Sequence, residues 1–332
     1  MRNISYIYLH FLGRHVIAYL AATIFRLENV IGNNGGQIFK STMTQQTFKT
    51  LFLILISTAS LPGQTSSTDS SQATKEAMHW FKKAMTAFDS AKYKEAINYF
   101  QKVTKLFPGD PDAYQYMGTA YLLSGLNKEA IDNLNKAIAI NPKNDTSYLN
   151  RGTAEEILGL YKEALIDFTN TIKLNPKNTN AYFNRAQTNW LLNKFQESID
   201  DYTKVIELDS NYYQVATINC RGAAYFKLGR FNEALQDYNK AIKLDPKYAM
   251  AYNNRGMVKK HLKKYIEAIK DFDTAIELNP KFADAYNNRG LSKLNSNNYN
   301  DAVLDFQAAV NLDTENKLFK DNLKIALEKA SK

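Results

Sequence analysis

Asparagine recurs in register at Asn150, Asn184, Asn254 and Asn288, and again one position earlier in later units at Asn219, Asn253 and Asn287. A side-chain amide carries a donor and an acceptor together, so such a row can pair with a peptide backbone of any sequence. That is recognition chemistry, not bond-making chemistry. Phe81, Tyr116, Phe183 and Trp190, with Met85 and Phe88, add large apolar groups of the kind that anchor a bound partner. No catalytic constellation accompanies them. His79 and His261 stand far apart with no paired cysteine or carboxylate motif. The single Cys220 excludes an internal disulfide framework and a multi-cysteine zinc site, and an adjacent Arg221 is a weak basis for a reactive thiol. Glu155–Glu156 and Asp200–Asp201 read as ordinary helix-surface charges. Residues 32–41 fail as a phosphate loop because Phe39 occupies the place of the glycine before Lys40. A non-enzymatic protein without metal or cofactor is expected.

These residues sit in a unit of thirty-four residues that accounts for most of the chain after Lys75. Leu158-Gly159-Leu160-Tyr161-Lys162-Glu163-Ala164 and Leu228-Gly229-Arg230-Phe231-Asn232-Glu233-Ala234 show it directly. The spacing from Pro108 to Pro142, Pro142 to Pro176 and Pro246 to Pro280 repeats it. A unit this short cannot bury its own apolar face, so neighbours must stack into a solenoid.

The pattern resembles the tetratricopeptide repeat (TPR), a pair of antiparallel helices. Seven copies are expected at 77–110, 111–144, 145–178, 179–212, 215–248, 249–282 and 283–316. The fold class is therefore all-α, a TPR solenoid in the form of a right-handed superhelix, closed by a capping helix over 317–332. Small residues at the eighth position (Gly118, Gly152, Gly222, Gly256, Gly290) and at the twentieth (Ala96, Ala130, Ala164, Ala234, Ala268, Ala302) let two helices approach. Large groups at the twenty-fourth (Phe100, Leu134, Phe168, Tyr202, Tyr238, Phe272, Phe306) plug the space between units. The prolines stop the second helix. Gly125, Gly159, Gly229, Asn193 and Asn297 mark turns with left-handed backbone.

Arginine at the seventh position and aspartate at the twenty-third appear together and vanish together. The pairs are Arg151 with Asp167, Arg185 with Asp201, Arg221 with Asp237, Arg255 with Asp271, and Arg289 with Asp305. Partly buried ion pairs are expected, within a unit or across a junction; shared descent of duplicated units is equally compatible with the pattern. Between the fourth and fifth copies Ser210 replaces proline, two residues are added around Tyr213 and Gln214, and Ile218 replaces tyrosine. A local change of twist, or a hinge, is expected there.

The formal net charge is +9. Five basic residues against Glu28 in the first 64 supply part of it, and elsewhere the signs are interleaved. Such a mixture offers no continuous phosphate track, so nucleic-acid binding is not expected. Residues 43–64 have the parts of a secretory signal: Lys49, an apolar run over 51–56, and small residues over 57–60. Residues 65–76 read as a flexible linker. Residues 1–42 are either an over-called start upstream of Met43 or a weak membrane anchor, and membrane association is expected only through 4–25. A secreted or periplasmic protein follows, with membrane anchoring as the alternative.

The resemblance implies that the first helix of each unit lines a concave groove and that these asparagines and aromatics face it. The asparagine row resembles that of the TPR domain of O-GlcNAc transferases, which holds extended polypeptide. A solvated helix face and inherited repeat consensus are its alternatives. The carboxylate clamp of chaperone-tail-binding TPR proteins needs cations in three successive units, and only Lys82 stands at such a site. The expected function is a protein–protein interaction scaffold that binds an extended peptide or partner helix. The alternative is a chaperone or assembly factor for exported chains. Oligomeric state is left open.

Overall fold

The computed structural model describes residues 67–208 and 214–331. Among these, fifteen α-helices follow one another. They are α1 (Ser67–Asp89), α2 (Tyr93–Leu106), α3 (Pro111–Leu123), α4 (Asn127–Ile140), α5 (Asp145–Ile157), α6 (Tyr161–Leu174), α7 (Thr179–Leu191) and α8 (Phe195–Leu208). Then come α9 (Gln214–Lys227), α10 (Phe231–Leu244), α11 (Ala249–His261), α12 (Tyr265–Leu278), α13 (Ala283–Asn295), α14 (Tyr299–Leu312) and α15 (Lys317–Ala330). The segments 1–42 and 43–64 lie outside the described residues, as do Ser210 and Tyr213. The linker expected over 65–76 is helical from Ser67 onward. Gln72, Ala73, Lys75 and Glu76 are good helix formers, and they extend α1 instead of interrupting it.

Local chemistry sets the helix ends. Asp110 accepts from the backbone N–H groups of Asp112 and Ala113, with Pro111 opening α3. Asn144, Asn178 and Asn316 cap α5, α7 and α15 in the same way. Second helices end two residues before Pro108, Pro142, Pro176, Pro246 and Pro280. The turns inside the hairpins need one residue at positive φ. Gly125 (77°), Gly159 (78°), Gly229 (73°), Asn193 (59°) and Asn297 (63°) supply it, as do Ala91 (57°) and Lys263 (60°), for which sequence gives no warning.

The hairpins stack. Each second helix packs on the following first helix, and neighbouring first helices also touch, at α3/α5, α5/α7, α9/α11, α11/α13 and α13/α15. Second helices make no comparable contact with one another. First helices therefore form the inner, more closely spaced layer. Gly256 shows why the eighth position is small: a Cβ there would lie 2.7 Å from Phe272 Cε1. Phe100, Leu134, Phe168, Phe272 and Phe306 are fully buried plugs between helices. Each contributes about 1.5–3 kcal/mol through its burial. The contact between first helices is weaker both at α1/α3 and at α7/α9, the latter where the repeat spacing changes.

Candidate peptide-binding face

Every arginine of the seventh position forms a two-pronged ion pair inside its own hairpin. Arg255 Nε and Nη2 donate to the Asp271 carboxylate at 3.0 and 2.6 Å, and Arg151 does the same to Asp167 at 2.6 and 2.7 Å. Arg185–Asp201, Arg221–Asp237 and Arg289–Asp305 repeat the geometry. The remaining Nη1 crosses the junction, to Asn135, Thr169, Thr203, Asn239 or Asp273 at the twenty-fifth position of the preceding hairpin. The two placements left open by sequence are thus both occupied by one guanidinium. In four hairpins the arginine also lies over the tyrosine three residues before it, at Tyr148, Tyr182, Tyr252 and Tyr286. Ile218 removes that ring in the fifth hairpin, and Arg221 lies over Tyr225 instead, 5.8 Å from its centroid.

The aspartates have a second partner at the eleventh position, which sequence reading missed. Lys259 reaches Asp271 at 2.8 Å and Lys293 reaches Asp305 at 2.9 Å. In the third hairpin that place holds Glu155, facing Asp167. Burial first, and the Asp167 charge second, push the Glu155 carboxyl up to about 7. Its Oε2 is buried without a hydrogen-bond partner. Glu156 is only 7% exposed, and its Oε1 accepts from Thr188 of the next first helix. Burial pushes it to about 7 as well. These two glutamates, and Asp201 with them, are interior groups, which corrects their reading as surface charges. Glu155 lies against Asp167 of its own hairpin, and Glu156 against Thr188 of the next first helix.

The asparagine side chains are joined by amide–amide hydrogen bonds between first helices. Asn254 donates to Asn219 (3.0 Å), Asn288 to Asn253 (3.1 Å), and Asn322 of α15 to Asn287 (2.8 Å). Asn253 also donates to Asn254. Asn219, Asn253, Asn254, Asn287 and Asn288 are buried, so the solvated-face alternative does not hold for them. In the amino-terminal half the partners differ: Asn150 donates to Thr119 (2.8 Å) and Asn184 to Thr153 (3.3 Å), and both asparagines are half-buried. Cys220 stands in the amide position of the fifth hairpin. Burial pushes its thiol up to about 11, against a hydrogen bond with Tyr202, which leaves it a poor nucleophile.

The aromatics divide. Phe81 packs edge-on against Phe100 and Tyr116, and Phe183 against Tyr202; both are buried, at 8% exposure, so they are core groups and not open anchors. Tyr116 and Trp190 remain half-exposed. So do Met85, Phe88, Leu122, Phe226, Met257, Leu291 and Leu294 at the ninth and twelfth positions. Residues i, i+4 and i+7 of a helix share a face, so these lie on the same face as the position-five residues. Leu122, Phe226, Leu291 and Leu294 also pack on the buried core of their hairpins, and Thr153, Glu156 and Lys260 interrupt the apolar run. His79 packs on Trp80, and His261 sits against Phe226 and Phe231.

The sequence matches family models described as TPR repeat (residues 222–263) and tetratricopeptide repeat (87–150, 179–212, 249–282 and 272–303). The chain belongs to the tetratricopeptide-repeat family. Its structure is similar to a tetratricopeptide repeat protein from Parabacteroides merdae (TM-score 0.58, 20% identity, covering 76% of this chain and 99% of that one). It is also similar to the C-terminal part of a TPR repeat-containing protein from Cytophaga hutchinsonii (0.60, 17%, 73% and 99%). A third similar structure is the APC/C hetero-tetramer Cut9–Hcn1 (0.53, 16%, 75% and 55%). At these identities the likeness concerns the fold alone. No curated protein matches the sequence.

Proposed function

We propose that this protein is a non-enzymatic interaction scaffold whose first-helix face holds an extended peptide or a partner helix. One observation carries the reading. In the fifth to seventh hairpins, half-exposed Phe226, Met257, Leu291 and Leu294 stand at the ninth and twelfth positions of helices whose fifth- and sixth-position amides are already fixed by one another. Preorganised amides lower the ordering cost of binding. Mutual pairing of the amides weighs against a chaperone that grips any backbone, because much of their donor and acceptor capacity is taken. Sequence-selective pockets fit better. Export through the signal at 43–64 belongs to the same reading, and amino-terminal sequencing of exported protein tests it; a mature end upstream of Met43 would overturn it.

Screening the full-length chain on a peptide array tests the groove. Binding should be lost in Met85→Glu and Leu291→Glu and kept in Ile266→Glu, since Ile266 is 73% exposed on a second helix. Equal loss in all three, or in none, would overturn the assignment of the face.

A further inference from the structure

The twelfth position of the sixth hairpin is a lysine. Its neighbours at that position are Phe226 in the hairpin before and Leu294 in the hairpin after. Lys260 Nζ donates to Asn288 Oδ1 at 3.0 Å, and Asn288 is itself held by Asn253. The two other lysines of this region are ion-paired, Lys259 with Asp271 and Lys293 with Asp305, each carboxylate being shared with an arginine. Among the described residues, Lys260 has no carboxylate within ion-pair distance. Burial alone pushes its ammonium down to about 8. A desolvated cation without a counter-ion is costly, and a hydrogen bond to a neutral amide returns only part of that cost. An ammonium has three donors, so two remain for a ligand. Met257 precedes Lys260 by three residues on the same face of α11, and Leu294 holds the equivalent twelfth position on α13.

We propose that Lys260 is the anchor for an acidic side chain of the bound peptide, with Asn288 orienting its ammonium and Met257, Leu291 and Leu294 receiving apolar side chains on either side of that acid. The proposal rests on the groove reading above and names the chemistry of its partner. A side chain fits better than a chain end, because half-exposed apolar residues hold the twelfth position in the hairpins on both sides of Lys260, at Phe226 and at Leu294, so the peptide runs through. The arrangement differs from the carboxylate clamp, which draws cations from three successive units; here one cation is set by an amide chain that runs from Asn288 through Asn253 and Asn254 to Asn219.

The test uses the full-length chain and an array of short peptides made in matched glutamate and glutamine versions. Wild-type binders should lose about tenfold or more in affinity when their glutamate becomes glutamine, as expected for loss of a partly desolvated charge pair. Lys260→Met should bind both versions equally, at the weaker level, and Lys260→Arg should restore the preference for glutamate. Circular dichroism establishes that each variant is folded. If Lys260→Met keeps the wild-type preference, the anchor is wrong and the groove reading stands. If no peptide binds the wild type at all, both fall.

Discussion

Asn322 on the capping helix donates to Asn287 at 2.8 Å, with the same separation of thirty-five residues that joins Asn254 to Asn219 and Asn288 to Asn253. The cap therefore continues the inner layer as a half-hairpin, and not only as a polar lid. Phe319 and Ala326 are buried against the last hairpin, while Leu318, Ile325 and Leu327 stay exposed.

Asn322→Leu should destabilise the carboxy-terminal hairpin by about 1–3 kcal/mol, because it leaves the buried Asn287 acceptor unpaired. Urea unfolding read at that hairpin checks this. An unchanged midpoint would mean that water replaces the lost amide.

Loss of an arginine should cost unequally along the array. Arg151→Met leaves Asp167 buried beside Glu155, and about 3–5 kcal/mol is the expected scale for an orphaned buried charge. Arg255→Met leaves Asp271 still paired with Lys259 at 2.8 Å, so its loss should be smaller. Thermal melts of the two variants give the order. A double-mutant cycle on Arg255 and Asp271 should show positive coupling, and a zero coupling would remove the ion pair from the account.

The buried glutamates set a pH dependence. Glu156 titrates at about 7 when folded against 4.5 for an ordinary glutamate. The unfolded chain therefore releases this proton first as pH rises. Stability from the neutral carboxyl is complete below about pH 4.5 and is lost as pH climbs to about 7. The expected scale is on the order of 3 kcal/mol for this one group. Glu155 acts in the same direction. Glu156→Gln keeps an acceptor for Thr188 and should flatten the profile, so that the variant exceeds wild type in stability at pH 8 and equals it at pH 4. Denaturant titrations at the two values decide it.

The framework was legible in the sequence because its reasons are local to one hairpin. A plug such as Phe272 needs a gap such as Gly256, and both lie in a single unit of thirty-four residues. The Arg–Asp pairs were legible for the same reason. The fate of the asparagines was not. Their partners lie one unit further on, and an amide that faces a ligand has the same letter as one that faces another amide. Phe81 and Phe183 were misassigned as groove anchors because position five lies close enough to the hairpin interface for a large ring to fold back onto Phe100 or Tyr202. Glu155 and Glu156 looked like surface charges because acids so seldom fill such places.

Lys263 holds a left-handed turn at φ 60° that glycine or asparagine fills in most other hairpins. Lys263→Gly should raise stability by up to about 1 kcal/mol by relieving that strain, offset in part by the greater freedom of glycine when unfolded. A higher melting temperature is the expected readout, and a lower one would show that the entropic side wins.

Each guanidinium grips its own hairpin with two nitrogens and the preceding one with the third. The third to sixth hairpins thus each carry a plug at one end and a matching socket, the residue at the twenty-fifth position, at the other. A gene duplication that copies one whole unit copies both fittings. The array can lengthen or shorten by integral steps without inventing a new joint, and the repertoire of ligands can change with length while the coupling between neighbours stays the same.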